Sequence, residues 1–131
     1  MPRPIPIYRD HDEQYRADSC SPLLDAVGRG ILELRAVRHG HYPGHALRSS
    51  ELPGVKMVGY WDAAKDQDWG LDWHRNEGIE FTFLERGRLA FGGAARQWEL
   101  RPDDMTITRP WQMHRVGDPA IASCRRAYRA Y

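Results

Sequence analysis

The chain has 131 residues, with 19 basic against 18 acidic side chains and a formal net charge of +1, which fits one domain with a real core. Balanced charge argues against a surface built to neutralise phosphates, which normally shows a basic patch. No run approaches the roughly 18 apolar residues of a membrane helix.

In chain order, residues 1–15 read as a flexible arm, because Pro2, Pro4 and Pro6 block both a helix and a central strand. This opening holds no apolar signal-peptide core. Cys20 and Cys124 stand far apart with no C-x-x-C, so free thiols in a reducing cytoplasm are expected. Residues 16–131 form the expected domain. Ser21 is a candidate N-cap with Pro22 at the first helical position, and Leu23, Leu24, Ala26 and Val27 continue a short helix that Gly28 or Gly30 can end. The stretch from Ile31 to Val37 reads as a strand, and His39-Gly40-His41-Tyr42-Pro43-Gly44-His45 as a turn-rich loop. Its three histidines have no fixed geometry and are given no role. Another strand is expected from Val55 to Trp61, then a polar connector from Asp62 to Asp68.

After Trp69 short strands follow closely, broken at Gly78, at Gly87, at Gly92-Gly93 (read as a hairpin turn) and at Pro102-Asp103-Asp104. Roughly eight such strands predict an all-β jelly-roll barrel. Alternation puts Glu80, Thr82 and Leu84 on one face and Ile79, Phe81 and Phe83 on the other. The second face needs a cover, so a homodimer is expected. The end, Cys124 to Tyr131, is basic and aromatic and reads as a solvated tail.

The chemistry gathers in His74-x-Asn76-x3-Glu80-x6-Gly87 and Pro110-x3-His114. In an extended run His74, Asn76 and Glu80 share one strand face, and His114 arrives from a distant strand. Two imidazoles and a carboxylate suit iron, manganese or zinc. The same groups can line a polar ligand pocket or simply hydrogen-bond in the core. Asn76 tells against a metal, since an amide oxygen is a poor ligand beside imidazole. Glu80 needs a partner if buried. Trp111 either presents an aromatic face to a ligand or caps the barrel end.

This spacing resembles the cupin family, with Asn76 in place of the second His of the first motif and Pro102-Asp103-Asp104 in place of Pro-Gly-Asp. The strings from Trp73 to Glu80 and from Thr106 to Gly117 resemble more closely the N-terminal ligand-sensing domain of AraC-type transcription regulators. The likeness is strongest over residues 60–119. It implies a cupin barrel that binds a small effector, such as a sugar, through His74, Asn76, Glu80, Trp111 and His114. By this resemblance no catalytic residue, no metal cofactor and no enzyme activity are expected. The family's helix-turn-helix region does not fit in the residues after Pro119, so the chain reads as a sensor domain alone, without specific DNA binding of its own. The other reading is a metal-dependent dioxygenase or isomerase that uses His74, Glu80 and His114 as ligands.

Overall fold

The computed structural model describes residues 5–17, 21–63, 70–93, 96–117 and 124–130. Cys20, most of the connector expected at 62–68 and the side chains of Ser21 and Cys124 lie outside what is described. A small hairpin opens the chain, with β1 at Ile7–Arg9 and β2 at Gln14–Arg16, followed by α1 at Ser21–Gly28. Then come β3 at Leu32–Arg38, β4 at His45–Ala46, β5 at Met57–Ala63 and β6 at Leu71–His74. The remainder is β7 at Glu80–Gly87, β8 at Leu89–Gly93, β9 at Arg96–Leu100, β10 at Met105–Thr108, β11 at His114–Val116 and β12 at Cys124–Ala130. Apart from the hairpin, the strands form a six-stranded sheet, β10-β7-β12-β5-β3-β4, and a four-stranded sheet, β6-β11-β8-β9.

The all-β fold expected from the strand spacing is present, but the two sheets are not closed into one hydrogen-bonded barrel. The chain leaves β9 and turns through Pro102 and Asp103 onto the other sheet, where Asp103 N–H donates to the Leu84 carbonyl at 2.9 Å and Leu84 N–H to the Asp104 carbonyl at 3.1 Å. β9 and β10 therefore both end as edges, and a gap is left between them. Asp103 sits at φ 72° in the third position of this turn, where a side chain is strained and glycine is not. Asp103→Gly is therefore expected to raise stability by about 0.5 kcal/mol, the relief of a left-handed residue less the backbone entropy of glycine. Thermal denaturation of the two proteins side by side checks the sign.

Three sequence expectations are corrected. Part of the supposed arm is the β1–β2 hairpin: Asp10 Oδ1 accepts the N–H groups of Asp12 and Glu13, both at 2.9 Å, and closes its turn. Those bonds hold the Asp10 carboxyl below its ordinary value. Whatever stability they give the hairpin is present above the ordinary carboxylate range and lost as pH falls through the lowered value. The supposed tail is β12, an inner strand paired with both β5 and β7, because without it those two strands would leave backbone groups unpaired. Gly92 and Gly93 lie within β8 rather than in a turn. A Cβ on Gly92 would stand 2.8 Å from Arg115 Cγ, and one on Gly93 would stand 3.0 Å from the Trp98 ring.

The helix follows the sequence pattern. Leu23, Ala26 and Val27, at spacings of three and four, face the main core with Leu32, Trp61, Leu84, Leu89 and Phe91. Ile31 N–H bonds to the Ala26 carbonyl and Gly30 N–H to that of Val27, with Gly30 at φ 72°; this is the Schellman arrangement that ends a helix. Among the described residues no helix is long and apolar enough to cross a membrane.

Candidate functional site

Strand parity is as the alternation predicts. Glu80, Thr82 and Leu84 are each 0% exposed, whereas Ile79 is 50% and Phe81 41% exposed. One element of the reading changes. β6 stops at His74 and β7 starts at Glu80, with a bend at residues 77–78 between them, so the two side chains belong to different sheets. They nevertheless converge. β11 pairs with β6 so that His114 lies directly opposite His74, with ring centroids 4.2 Å apart. Ligand atoms of His74, Glu80 and His114 all lie within 4.8 Å of one another, the one such group among the described residues.

Each group is held by a named partner. His74 Nδ1 is 2.7 Å from the Asp72 carbonyl, and His114 Nδ1 is 2.8 Å from the Gln112 carbonyl. A carbonyl oxygen only accepts, so both Nδ1 atoms carry hydrogen, and in a neutral imidazole Nε2 is then a bare lone pair. Thr82 Oγ1 donates to Glu80 Oε1 at 3.0 Å, and the Asn76 amide donates to Oε2. His114 Nε2 stands 3.1 Å from that same Oε2. In the neutral tautomer that contact sets one lone pair against another, and only a positive charge shared between them, a proton or a metal, makes it favourable.

The donor set fits a transition metal. Histidine ligands characteristically donate their second ring N–H to a carbonyl or carboxylate, as both do here. Two imidazoles and one carboxylate suit iron, manganese or zinc with coordination positions left open. Asn76 occupies the place of a fourth ligand but spends its N–H on the carboxylate, so it positions Glu80. Phe91 stacks on His114 with centroids 5.8 Å apart.

Trp111 does not join this group. It has φ 61°, its N–H donates to the Asn76 carbonyl at 2.6 Å, and its ring packs on Tyr8 at 5.6 Å. Arg75 donates to the Trp111 carbonyl at 2.8 Å and pairs with Glu13 at 2.5 Å, fastening the β1–β2 hairpin to this loop. In the loop from His39 to His45, His39 bonds the Glu51 carbonyl at 2.7 Å, a structural use.

A cavity of about 460 Å³ opens beside His114 in the gap between β9 and β10. Trp98, Thr106, Thr108 and Gln112 line it and were missed in the sequence. A signal existed in Thr106-Ile107-Thr108: the alternation that puts Glu80 and Thr82 inside puts their ladder partners Thr108 and Thr106 inside too.

No protein-family model matches the chain, and no curated protein matches it. Solved structures do. A cupin superfamily protein from Desulfitobacterium hafniense superposes with a TM-score of 0.50 at 12% identity, covering 75% of each chain. A predicted oxalate decarboxylase from Thermotoga maritima gives 0.54 at 13% identity over 76% of each chain. A candidate mannose-6-phosphate isomerase from Ralstonia eutropha gives 0.50 at 14% identity, covering 76% of this chain and 82% of its own. The expectation that the chain is no enzyme is corrected on this finding: the fold is one that proteins described as enzymes carry, and the His74–Glu80–His114 group is compatible with catalysis. At these identities the likeness speaks for architecture, and the architecture is the cupin fold.

Proposed function

We propose that the chain is a metal-dependent cupin enzyme in which His74, Glu80 and His114 hold iron, manganese or zinc. The observation that carries this reading is the direction of the ring protons. Both imidazoles turn Nδ1–H to a backbone carbonyl, so three lone-pair groups converge on one point that calls for a cation. A metal there supplies a Lewis-acidic centre with open positions for water or substrate. The protein's own groups do the rest. Asn76 and Thr82 fix the carboxylate, Asp72 and Gln112 fix the rings, and Phe91 stacks on His114.

Metal analysis of protein purified without added metal tests the proposal. About one transition metal per chain is expected, lost in His74→Ala and in His114→Ala. Wild-type protein that is metal-free and takes up none of the three metals would overturn it.

The second reading is a small-effector sensor of the kind the AraC resemblance implies. The cavity beside His114 supports it, since such a space serves binding without turnover, and this reading needs no metal. For either reading we propose that the chain pairs with a second copy. Phe81 and Ile107 face each other across the ladder, as do Phe83 and Met105, and Phe81, Met105 and Ile107 are 41%, 53% and 58% exposed with Ile79 beside them. The buried stripe of α1 packs into the main core. Light scattering is expected to give roughly twice the 15.2 kDa chain mass, and Phe81→Glu to return it to one.

A further inference from the structure

We infer that Tyr42 is a positioning residue for the candidate metal site: through Glu77 it holds the bend that places the Glu80 carboxylate against the two imidazoles. The ladder between β6 and β11 sets His74 opposite His114, but no ladder joins β6 to β7. His74 ends β6 and Glu80 opens β7, so the shape of residues 75–79 decides how the carboxylate meets the rings. That bend is tied to both sheets. Arg75 donates to the Trp111 carbonyl at 2.8 Å, and the Asn76 carbonyl accepts the Trp111 N–H at 2.6 Å. Both bonds reach the turn that leads into β11 and its His114. On the other side of Asn76, the Glu77 carboxylate accepts the Tyr42 hydroxyl. Tyr42 lies in the loop between β3 and β4, strands of the same sheet as β7. Asn76, whose amide donates to Glu80, is thus held between two anchors.

Tyr42 can serve as an anchor because it is itself held fast. It is 4% exposed and packs with Ala36 and Met57 in the second buried cluster, with the His41 ring 4.3 Å away, centroid to centroid. Its loop is fastened at the start, where His39 N–H donates to the Lys56 carbonyl at 2.8 Å. Further on, Gly44 lies so close to β3 that a Cβ there would stand 2.6 Å from the Ala36 carbonyl oxygen. A hydroxyl donating to a carboxylate makes a charge-assisted bond, roughly twice as strong as a neutral one. The loop whose histidines have no ligand role therefore acts on the site through its tyrosine.

The inference rests on the metal-site reading for its consequence, and the two can fail separately. Cobalt(II) is the probe of geometry, since its visible bands report the arrangement of its ligands, and zinc is the probe of affinity. Tyr42→Phe removes only the hydroxyl. It is expected to shift the cobalt bands and to weaken zinc binding about tenfold, the lower end of the loss when a group supporting a ligand is removed. Glu77→Gln keeps an acceptor oxygen and is expected to stay near wild type, whereas Glu77→Ala should match Tyr42→Phe. Met57→Leu disturbs the same small cluster without touching the bond, and should leave the cobalt bands in place whatever it does to stability. Wild-type bands and zinc affinity in Tyr42→Phe, or the same band shift in Met57→Leu, would overturn the inference. So would a loss in Glu77→Gln as large as in Glu77→Ala, which would make the charge of Glu77 the cause. Amide NMR of chelator-treated full-length protein keeps the readings apart: the Asn76 side chain and the Glu80 N–H are expected to shift in Tyr42→Phe and not in Met57→Leu. Those shifts in a protein that takes neither cobalt nor zinc defeat the metal site alone. Stoichiometric cobalt without them defeats the role of Tyr42 alone.

Discussion

His114→Ala is expected to lower the unfolding free energy of chelator-treated protein by about 3–5 kcal/mol, the range for deleting a buried ring and leaving its cavity. His114 is 1% exposed and Glu80 0%, so the carboxylate left behind cannot turn to water. The cavity would border the Glu80 carboxylate, which keeps the Asn76 amide and the Thr82 hydroxyl, and Phe91 would lose the ring stacked on it. His74 is only half-buried, and His74→Ala is expected to cost about 1 kcal/mol, as one net hydrogen bond does. The two variants should therefore agree in losing metal and differ widely in stability. Urea denaturation in chelator checks this, and equal costs would show that the buried ring does not carry the load assigned to it.

Glu80→Gln is expected to move metal binding and metal-free stability in opposite directions. Glutamine keeps the shape, and once the Asn76 amide turns its oxygen toward the new NH2, that NH2 can donate to both Asn76 and the Nε2 of His114, turning an unfavourable contact into a hydrogen bond worth about 1 kcal/mol. It also removes the anionic ligand, so the metal is lost. Wild-type protein holding metal at a hundredfold excess over Kd gains about 2.7 kcal/mol from it, or about 8–10 °C in Tm for a domain of this size. Wild type should thus melt above Glu80→Gln with metal present and below it in chelator. If Glu80→Gln is the less stable protein in chelator as well, the contact is already satisfied by a proton on His114 and needs no metal.

Much of the architecture is legible in the sequence because alternation is a local property. Glu80-Phe81-Thr82-Phe83-Leu84 declares its two faces whatever its neighbours are, and Leu23-x-x-Ala26-Val27 likewise declares the buried stripe of the helix. The motif spacing singles out His74, Glu80 and His114, and the fold does bring these three side chains together, although they arrive from two sheets rather than one strand. What stays hidden depends on partners distant in sequence. The segment from Cys124 to Ala130 carries three arginines in seven residues and looks like a tail; its place between β5 and β7 follows from two strands elsewhere that need a neighbour. Trp111 read alone could present a ligand face or cap the barrel end, and its contact with Tyr8, more than a hundred residues earlier, is not written in any local spacing. Asn76 read alone argues against a metal. The opposite argument comes from the Asp72 and Gln112 carbonyls, whose distances to the ring nitrogens no spacing rule supplies.

The claim that three lone-pair groups meet at a cation is tested most directly by an anomalous difference map, recorded from crystals of protein purified without added metal. The expected result is one strong peak bounded by His74 Nε2, His114 Nε2 and the Glu80 carboxylate, about 2.0–2.2 Å from each as for a zinc-like ion. No peak there after soaking in iron, manganese and zinc, or a peak at the His39–His45 loop instead, would contradict it.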